Sequence, residues 1–114
     1  MIGRLIGVFG GKTPEGGAIV DVHGVGYAVA LPLSTLETLQ TSTPLTLHIY
    51  TAVRDDAIDL FGFLDLEELS FFKKLLSVSG IGPKTALSIM NIADVRALKD
   101  AIARGESTYL TKVF

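Results

Sequence analysis

The chain contains no cysteine, so it can form neither disulfide bonds nor thiolate metal sites. This absence fits the reducing environment of a cytoplasm. No apolar run approaches the roughly 18 residues that a membrane-spanning helix requires. Residues 1–9 are interrupted by two glycines and one charge, which leaves too short an apolar stretch for a secretion signal. We therefore expect a soluble, cytoplasmic protein with no membrane partner.

An excess of positive charge is also lacking. The formal net charge is −2, whereas a general nucleic-acid-binding domain is usually basic. Residues 1–64 carry three basic and six acidic side chains, a net charge of −3, and residues 65–114 carry seven basic and six acidic side chains, a net charge of +1. The basic side chains therefore belong mainly to the second half, and the acidic excess of the first half needs its own explanation.

The common fingerprints of nucleotide binding and catalysis are missing. A Rossmann fingerprint needs a preceding strand and a third glycine, and a Walker loop needs Gly-Lys-Ser/Thr after four intervening residues. No nucleophile stands with a base that could activate it, so we predict no cofactor and no catalytic residue. His23 and His48 are far apart and poorly supplied with partners, which favours turn or surface positions over a metal site.

The first half has the pattern of a small β-protein. At 114 residues and 48% hydrophobic content, the chain suits one ordinary domain or two small ones. A helical turn at residues 34–39, capped by Ser34 or Thr35, falls between the third and fourth strands. Five short strands with one helical insertion predict a Greek-key barrel of the OB type, which often binds oligonucleotides. The strands are expected at residues 2–9, 18–22, 27–31, 45–53 and 58–63.

Glycine and proline mark the bends of this half. Residues 10–17 are too rich in both for the interior of a strand or helix, so we predict a loop there. The Gly-Val-Gly at residues 24–26 lies between two strands and predicts a hairpin turn. In the fourth strand, buried residues should alternate with exposed ones, Leu45, Leu47 and Ile49 facing inward.

Residues 65–114 have helical spacing. Asp65 and Glu68 have the spacing of a capping box at the start of a first helix, and its apolar stripe is predicted from Leu66, Leu69, Phe72, Leu75 and Leu76. A second helix is expected from Pro83. Asp94 should cap a third helix that ends at Gly105, and Ser107 a fourth. The pattern stops unfinished at Phe114, so we expect the chain to be a fragment.

The segment between the first two helices is the strongest binding candidate. Gly80 can end one helix, Gly82 lets a ligand approach the backbone, and Pro83 suits the first position of the next helix. The free amides of that helix N-terminus and the adjacent Lys84 would form an anion site. A plain helix turn is the alternative, since Gly-x-Gly alone is a weak signal. The whole pattern resembles the helix-hairpin-helix motif, whose contacts with phosphates recognise nucleic-acid shape.

Asp55 and Asp56 lie between the fourth and fifth strands. Two adjacent carboxylates at a hairpin tip can be a solvated turn, because aspartate favours turns and water. A metal-binding pair is a second interpretation, although no third ligand lies at a suitable spacing. The third interpretation is a charge that a DNA-binding protein presents to phosphates in order to repel them.

Several blocks occur together in the order of one known family. The sequence begins Met-Ile-Gly-Arg-Leu, and the blocks that follow resemble the RuvA family across all 114 residues. They are residues 24–27, residues 53–57, residues 60–63, residues 72–76 and residues 79–84.

The resemblance implies a function and assigns roles to residues. RuvA proteins recognise the four-way Holliday junction of DNA in bacterial recombination and repair, as homotetramers that load the RuvB ATPase and work beside the RuvC resolvase. By resemblance, Asp55 and Asp56 form the acidic pin at the junction centre. The phosphate hairpin is formed by Gly80, Ile81, Gly82, Pro83 and Lys84.

The resemblance also implies a division into domains. It places a barrel domain at residues 1–64 and a helix-hairpin-helix domain at residues 65–114, and a second hairpin and the motor-binding domain would be missing after Phe114. Many family members have Glu-Asp where this chain has Asp55-Asp56, which keeps the charge and shortens the reach. Two alternatives stay open, namely a DNA-binding module of a repair nuclease or ligase, and a protein-interaction OB domain.

Overall fold

The computed structural model describes residues 1–92. The chain divides into two compact units, Met1–Leu69 and Ser70–Phe114. The helices predicted to begin at Asp94 and Ser107 lie outside the described residues. None of the helices within residues 1–92 is long and apolar enough to cross a membrane.

The first unit is built on a closed five-stranded barrel. Neighbouring strands follow the order β1-β2-β3-β5-β4 around it, and helix α1 lies between β3 and β4 in sequence. The predicted OB-type barrel within a mixed α+β protein is confirmed. The elements are β1 (Arg4–Lys12), β2 (Gly17–Val22), β3 (Val25–Ala30), α1 (Leu33–Thr38), β4 (Pro44–Val53), β5 (Ile58–Phe63), α2 (Leu66–Leu76) and α3 (Pro83–Ile92).

One parallel pairing closes the barrel. Strand β1 pairs antiparallel with both β2 and β4, and β4 pairs antiparallel with β5. Strands β3 and β5 run parallel, with Val29 opposite Leu60 and Ala30 opposite Phe61. Every strand then has two neighbours, and the five strands close into a barrel.

The barrel core follows the two-residue period of its strands. Leu45, Leu47 and Ile49 are buried on β4, as the alternation predicted, while Thr46 is exposed. The core cluster comprises Leu5, Phe9, Ala18, Val20, Val29, Leu31, Leu36, Leu45, Leu47, Ile49 and Leu60. Burial of this apolar surface is the main favourable contribution to folding.

Strand β1 is longer than the sequence predicted. It continues through Gly10 and Gly11 to Lys12, and its register with β2 shifts between Phe9 and Lys12. A bulge of this kind admits glycines into a strand while the pairing continues beyond them. The predicted loop at residues 10–17 is therefore too long, since only residues 13–16 separate the two strands.

The turn between β2 and β3 is tighter than predicted. Val22 pairs with Val25, so the turn has only two central residues, His23 with φ 53° and Gly24 with φ 90°. Two positive φ values in succession are those of a type I′ turn, the kind that matches the twist of a hairpin. The Asp21 carboxylate accepts a hydrogen bond from the Gly24 amide at 2.9 Å. His23 is thus an exposed turn residue, as predicted.

Helix α1 does not have the predicted cap. Its N-cap residue is Pro32, which makes no side-chain capping hydrogen bond, and the Leu36 amide donates to the Pro32 carbonyl at 3.0 Å. Thr35 is buried inside the helix and cannot serve as its cap. Ser34 also lies within the helix, so the predicted cap was wrong. With only six residues, this helix gains its stability mainly from the burial of Thr35 and Leu36, because short helices are marginal without tertiary packing.

Helix α2 begins with the predicted capping box. Asp65 Oδ1 accepts a hydrogen bond from the Glu68 amide at 2.7 Å, and the Glu68 carboxylate accepts hydrogen bonds from the amides of Leu64 and Asp65. Burial, and secondly the Asp65 charge, raise the pKa of Glu68 above its ordinary value, while those two hydrogen bonds oppose the shift.

The apolar stripe of α2 matches the prediction only in part. Leu69, Phe72 and Leu75 are buried as expected, and Leu76 is half-buried. Leu66 is instead 64% exposed, and Phe71, which the predicted stripe did not include, is buried. A side chain in the first turn of a helix has helical neighbours only on its C-terminal side. Helical spacing alone therefore does not show whether another element covers it.

A glycine on β5 provides a test of barrel packing. A Cβ atom at Gly62 would lie 2.7 Å from Val29 Cγ1, 3.1 Å from Leu31 Cδ2 and 3.2 Å from Leu47 Cδ1. We predict that Gly62→Ala lowers the free energy of unfolding by about 1–3 kcal/mol, because overpacking forces neighbouring side chains away from their preferred rotamers. Urea denaturation measures the change. Gly3→Ala is the matched control, since nothing lies within 4 Å of a Cβ there. Equal effects of the two substitutions would contradict the packing account.

The shifted pKa of Glu68 predicts a dependence of stability on pH. A carboxyl group whose pKa is higher in the folded state favours folding when protonated, so its contribution falls as the pH rises from the unfolded pKa through the folded pKa. We expect Glu68→Gln to remove this decline, measured by urea denaturation between about pH 4 and pH 7. Asp65→Asn keeps a capping oxygen and removes the neighbouring charge, so it should reduce the decline in part. A pH dependence unchanged in Glu68→Gln would refute the assignment.

Candidate nucleic-acid interface

The acidic pair lies at the end of the β4–β5 hairpin. Val53 is paired with Ile58, and the Arg54 amide donates a hydrogen bond to the Ala57 carbonyl at 2.8 Å. Asp55 and Asp56 are therefore the two residues that reverse the chain, and both are exposed. A connection of two residues places both aspartates at the very end of the hairpin.

The two carboxylates of the tip have no protein partner within residues 1–92, where neither a hydrogen bond nor an ion pair engages them. The nearest basic residue in sequence, Arg54, is instead paired with Asp59, with its Nη2 atom 2.8 Å from Asp59 Oδ2. The tip therefore presents two charges to solvent that no neighbouring group of the described chain neutralises. Such an arrangement repels phosphate and attracts cations.

The last pairs of the hairpin are exposed on both faces. Side chains alternate between faces along a strand, so Arg54 and Asp59 share one face, while Val53 and Ile58 share the other. Val53 is 64% exposed and Ile58 is 67% exposed, although both are apolar strand residues. The end of the hairpin thus extends beyond the part of the sheet that covers the core.

The glycine turn lies between α2 and α3. Helix α2 ends at Leu76, where the Ser77 hydroxyl donates to the Lys74 carbonyl at 2.6 Å. Gly80 has φ 85°, a conformation that a residue with a Cβ rarely adopts, and the Ile81 amide donates to the Val78 carbonyl at 3.2 Å. The positive φ turns the backbone from the end of one helix towards the start of the next.

The N-terminus of α3 leaves amides available. The Ala86 amide donates to the Gly82 carbonyl at 2.9 Å, so Gly82 occupies the N-cap position but has no side chain with which to cap. Within the described chain, no acceptor faces the amides of Lys84 and Thr85. Space around Gly82 is open, since a Cβ there would meet nothing within 4 Å. The turn can therefore donate hydrogen bonds to an oxyanion.

The predicted binding residues of this turn are accessible to different extents. Gly80, Gly82 and Lys84 are exposed, whereas Ile81 and Pro83 are half-buried. The Lys84 ammonium is thus free to reach an anion in solvent, while the two apolar side chains are partly covered by protein.

Metal binding finds little support in the residues described. No group of three or more histidine, aspartate or glutamate side chains within residues 1–92 is arranged to hold a metal ion. His23 lies in the β2–β3 turn and His48 is half-buried on β4.

Sequence reasoning missed the Arg54–Asp59 ion pair. The signal was present, since two opposite charges five positions apart become diagonal neighbours across a two-residue turn. The ion pair can be predicted from this signal only when the turn length is known, because a shift of register by one residue would place the two side chains on opposite faces.

Comparison with protein families places both parts of the chain. The model of the RuvA N terminal domain matches residues 1–62, and the model described as a SAM-like helix-hairpin-helix tandem matches residues 72–113. The second match includes the glycine turn, which the sequence had suggested to be a helix-hairpin-helix motif.

Curated proteins are similar over nearly the whole chain. The relatives named Holliday junction branch migration complex subunit RuvA include that of Trichlorobacter lovleyi, 45% identical over 113 residues, which are 99% of this chain and 56% of the relative. That of Pseudomonas fluorescens is 42% identical over 114 residues, again 99% of this chain and 56% of the relative. That of Lactobacillus gasseri is 47% identical over 94 residues, which are 82% of this chain and 48% of the relative.

The chain spans about half the length of the curated relatives that it matches. The RuvA N-terminal model covers residues 1–62, which is more than half of the chain, and the closed five-stranded barrel is formed by those same residues and Phe63. The chain therefore belongs to the RuvA family, as a member that carries the RuvA N-terminal domain.

Proposed function

We propose that this chain binds four-way Holliday junctions of DNA and holds them open, as the specificity subunit that loads a RuvB-type ATPase for branch migration. The observation that carries the proposal is the pair of exposed carboxylates, Asp55 and Asp56, which have no partner among residues 1–92 and lie at the two-residue tip of a barrel hairpin. The names of its relatives, each a branch migration complex subunit, support the assignment.

The attractive half of the mechanism uses the backbone of the glycine turn. Amides of the α3 N-terminus donate hydrogen bonds to a phosphate of the DNA backbone. The positive charge of Lys84 attracts the same phosphate. Contacts with phosphates carry no base information, so this grip would hold a duplex arm of any sequence. Gly80, Ile81, Gly82, Pro83 and Lys84 form the binding turn in this proposal.

The repulsive half uses Asp55 and Asp56. Four copies of the chain in a homotetramer would bring eight carboxylates to the centre of a junction, where the phosphates of the exchanging strands approach one another. Repulsion there disfavours a stacked junction and favours an open, square arrangement. Like charges crowded near the low-dielectric protein surface repel more strongly than they would in bulk water.

The chain acts in this proposal without catalysing a reaction. ATP hydrolysis belongs to the RuvB-type partner, and strand cleavage to a RuvC-type resolvase. The subunit contributes shape recognition alone, so branched DNA should remain uncut when incubated with the chain and a divalent metal ion. Cleavage in that assay would instead favour a repair-nuclease module.

The first prediction of the proposal concerns Lys84. Lys84→Ala takes away a positive charge that faces a phosphate, so the slope of log affinity against log salt concentration should become shallower by about 0.9 for each phosphate that Lys84 neutralises. Fluorescence anisotropy with a labelled four-way junction at several salt concentrations measures the slope. Lys12→Ala is the matched control, because Lys12 is an exposed lysine of the barrel outside the glycine turn. A slope unchanged by Lys84→Ala would refute the role of Lys84.

The second prediction concerns the acidic tip. Replacing both residues, Asp55→Asn with Asp56→Asn, removes the repulsion while preserving the size of the side chains. We expect higher affinity for plain duplex and a smaller preference for the four-way junction, both measured by competition binding. The control pair, Glu15→Gln with Glu37→Gln, removes two exposed carboxylates elsewhere on the barrel unit. A junction preference that survives the tip substitutions unchanged would exclude the repulsive mechanism.

A further inference from the structure

We propose that Asp59 determines junction specificity by holding the Arg54 guanidinium away from the acidic tip. This inference rests on the proposed function and adds to it a residue outside the tip and outside the glycine turn. Asp59 is predicted to act through Arg54, so it is a positioning residue and need not contact DNA.

The geometry of the hairpin supports this role. Asp59 lies opposite Ala52 on the paired strands, and the next pair towards the tip on the same face would be Arg54 with Ala57. The guanidinium therefore reaches back along the hairpin, away from the turn, to meet Asp59 Oδ2 at 2.8 Å. Without Asp59, the acidic residues nearest to Arg54 in sequence would be Asp55 and Asp56.

The charges explain why the direction of Arg54 matters. It is the only lysine or arginine in the sequence from Pro44 to Phe63, a segment that also holds Asp55, Asp56 and Asp59. With Arg54 and Asp59 neutralising each other, the tip keeps two uncompensated negative charges. A guanidinium released towards the tip would cancel one of them, or would bind a phosphate as a bidentate donor. Either outcome weakens the repulsion at the junction centre.

Stability alone does not explain this ion pair. The side chains of Arg54 and Asp59 are 56% and 37% exposed, and ion pairs at such positions contribute little to the free energy of folding. The hairpin is already held by the register of β4 and β5 and by the hydrogen bond between the Arg54 amide and the Ala57 carbonyl. The effect of the pair is thus expected in the electrostatics of the tip.

The test compares Asp59→Asn with the unsubstituted chain, using labelled duplex and four-way junction DNA. We expect duplex binding to acquire a salt slope steeper by about 0.9 for each Arg54 that binds a phosphate. Over a fourfold decrease in salt concentration, this additional slope raises duplex affinity about 3.5-fold more than in the unsubstituted chain. Over the same decrease in salt concentration, the ratio of junction affinity to duplex affinity of Asp59→Asn should fall by a similar factor relative to the unsubstituted chain.

A double variant separates this role from a merely structural one. Arg54→Gln combined with Asp59→Asn removes the released cation, so it should restore the junction preference that Asp59→Asn alone diminishes. Damage to the hairpin from loss of the ion pair would instead persist in the double variant and refute the inference. Asp59→Glu keeps the carboxylate and should retain the preference of the unsubstituted chain.

The remaining outcomes distinguish this inference from the proposed function. A junction preference in the unsubstituted chain that Asp59→Asn leaves unchanged would refute the role of Asp59 and leave the proposed function intact. No preference for junctions in the unsubstituted chain would refute the proposed function, and the role of Asp59 with it.

Discussion

The register between β4 and β5 determines which residues of the barrel hairpin are buried, which reverse the chain and which form an ion pair. Within the barrel, it places Ile49 and Leu60 in the core. Beyond the core, the same register leaves two residues to reverse the chain, and both are aspartates. Because the strands alternate their side chains between faces, it also decides that Arg54 meets Asp59 and not the tip. Shifting the strands by one residue would alter the core, the tip and the ion pair together.

The two candidate contacts with DNA depend on opposite features of the chain. At the hairpin tip, charged side chains have no partner among residues 1–92 and the backbone is engaged between strands. At the glycine turn, the backbone amides of Lys84 and Thr85 have no acceptor in that same described range, and the positive φ of Gly80 makes the turn possible. The proposed recognition needs both, since attraction alone would bind any duplex and repulsion alone would bind nothing.

Local patterns in the sequence were sufficient where neighbouring residues decide the structure. The alternation of β4 placed its core residues correctly. The Asp65–Glu68 spacing predicted a capping box, and the structure has its hydrogen bond from the Glu68 amide to Asp65 Oδ1 at 2.7 Å. Such features need only the period of a strand or the first turn of a helix. The turn between α2 and α3 was also predicted from neighbouring residues, because glycine ends one helix and proline suits the start of the next.

Features that depend on distant parts of the chain were harder to predict. Gly10 and Gly11 indicated a loop, but pairing with β2 and a bulge keep them in a strand. Leu66 has the spacing of a buried residue and is exposed, because burial requires a covering element as well as a period. The Arg54–Asp59 pair required the turn length, which two adjacent aspartates do not specify.

Strand order also has a consequence for the kinetics of folding. The β4–β5 hairpin that carries the acidic tip forms between adjacent segments, whereas closure brings β1 to β4 and β3 to β5 across long intervals of sequence. Long-range contacts are slow to form because the intervening chain must lose entropy before they are made. Barrel closure is therefore the step expected to limit the folding rate. The β4–β5 hairpin with its acidic tip can form before the remaining strands of the barrel pair with it.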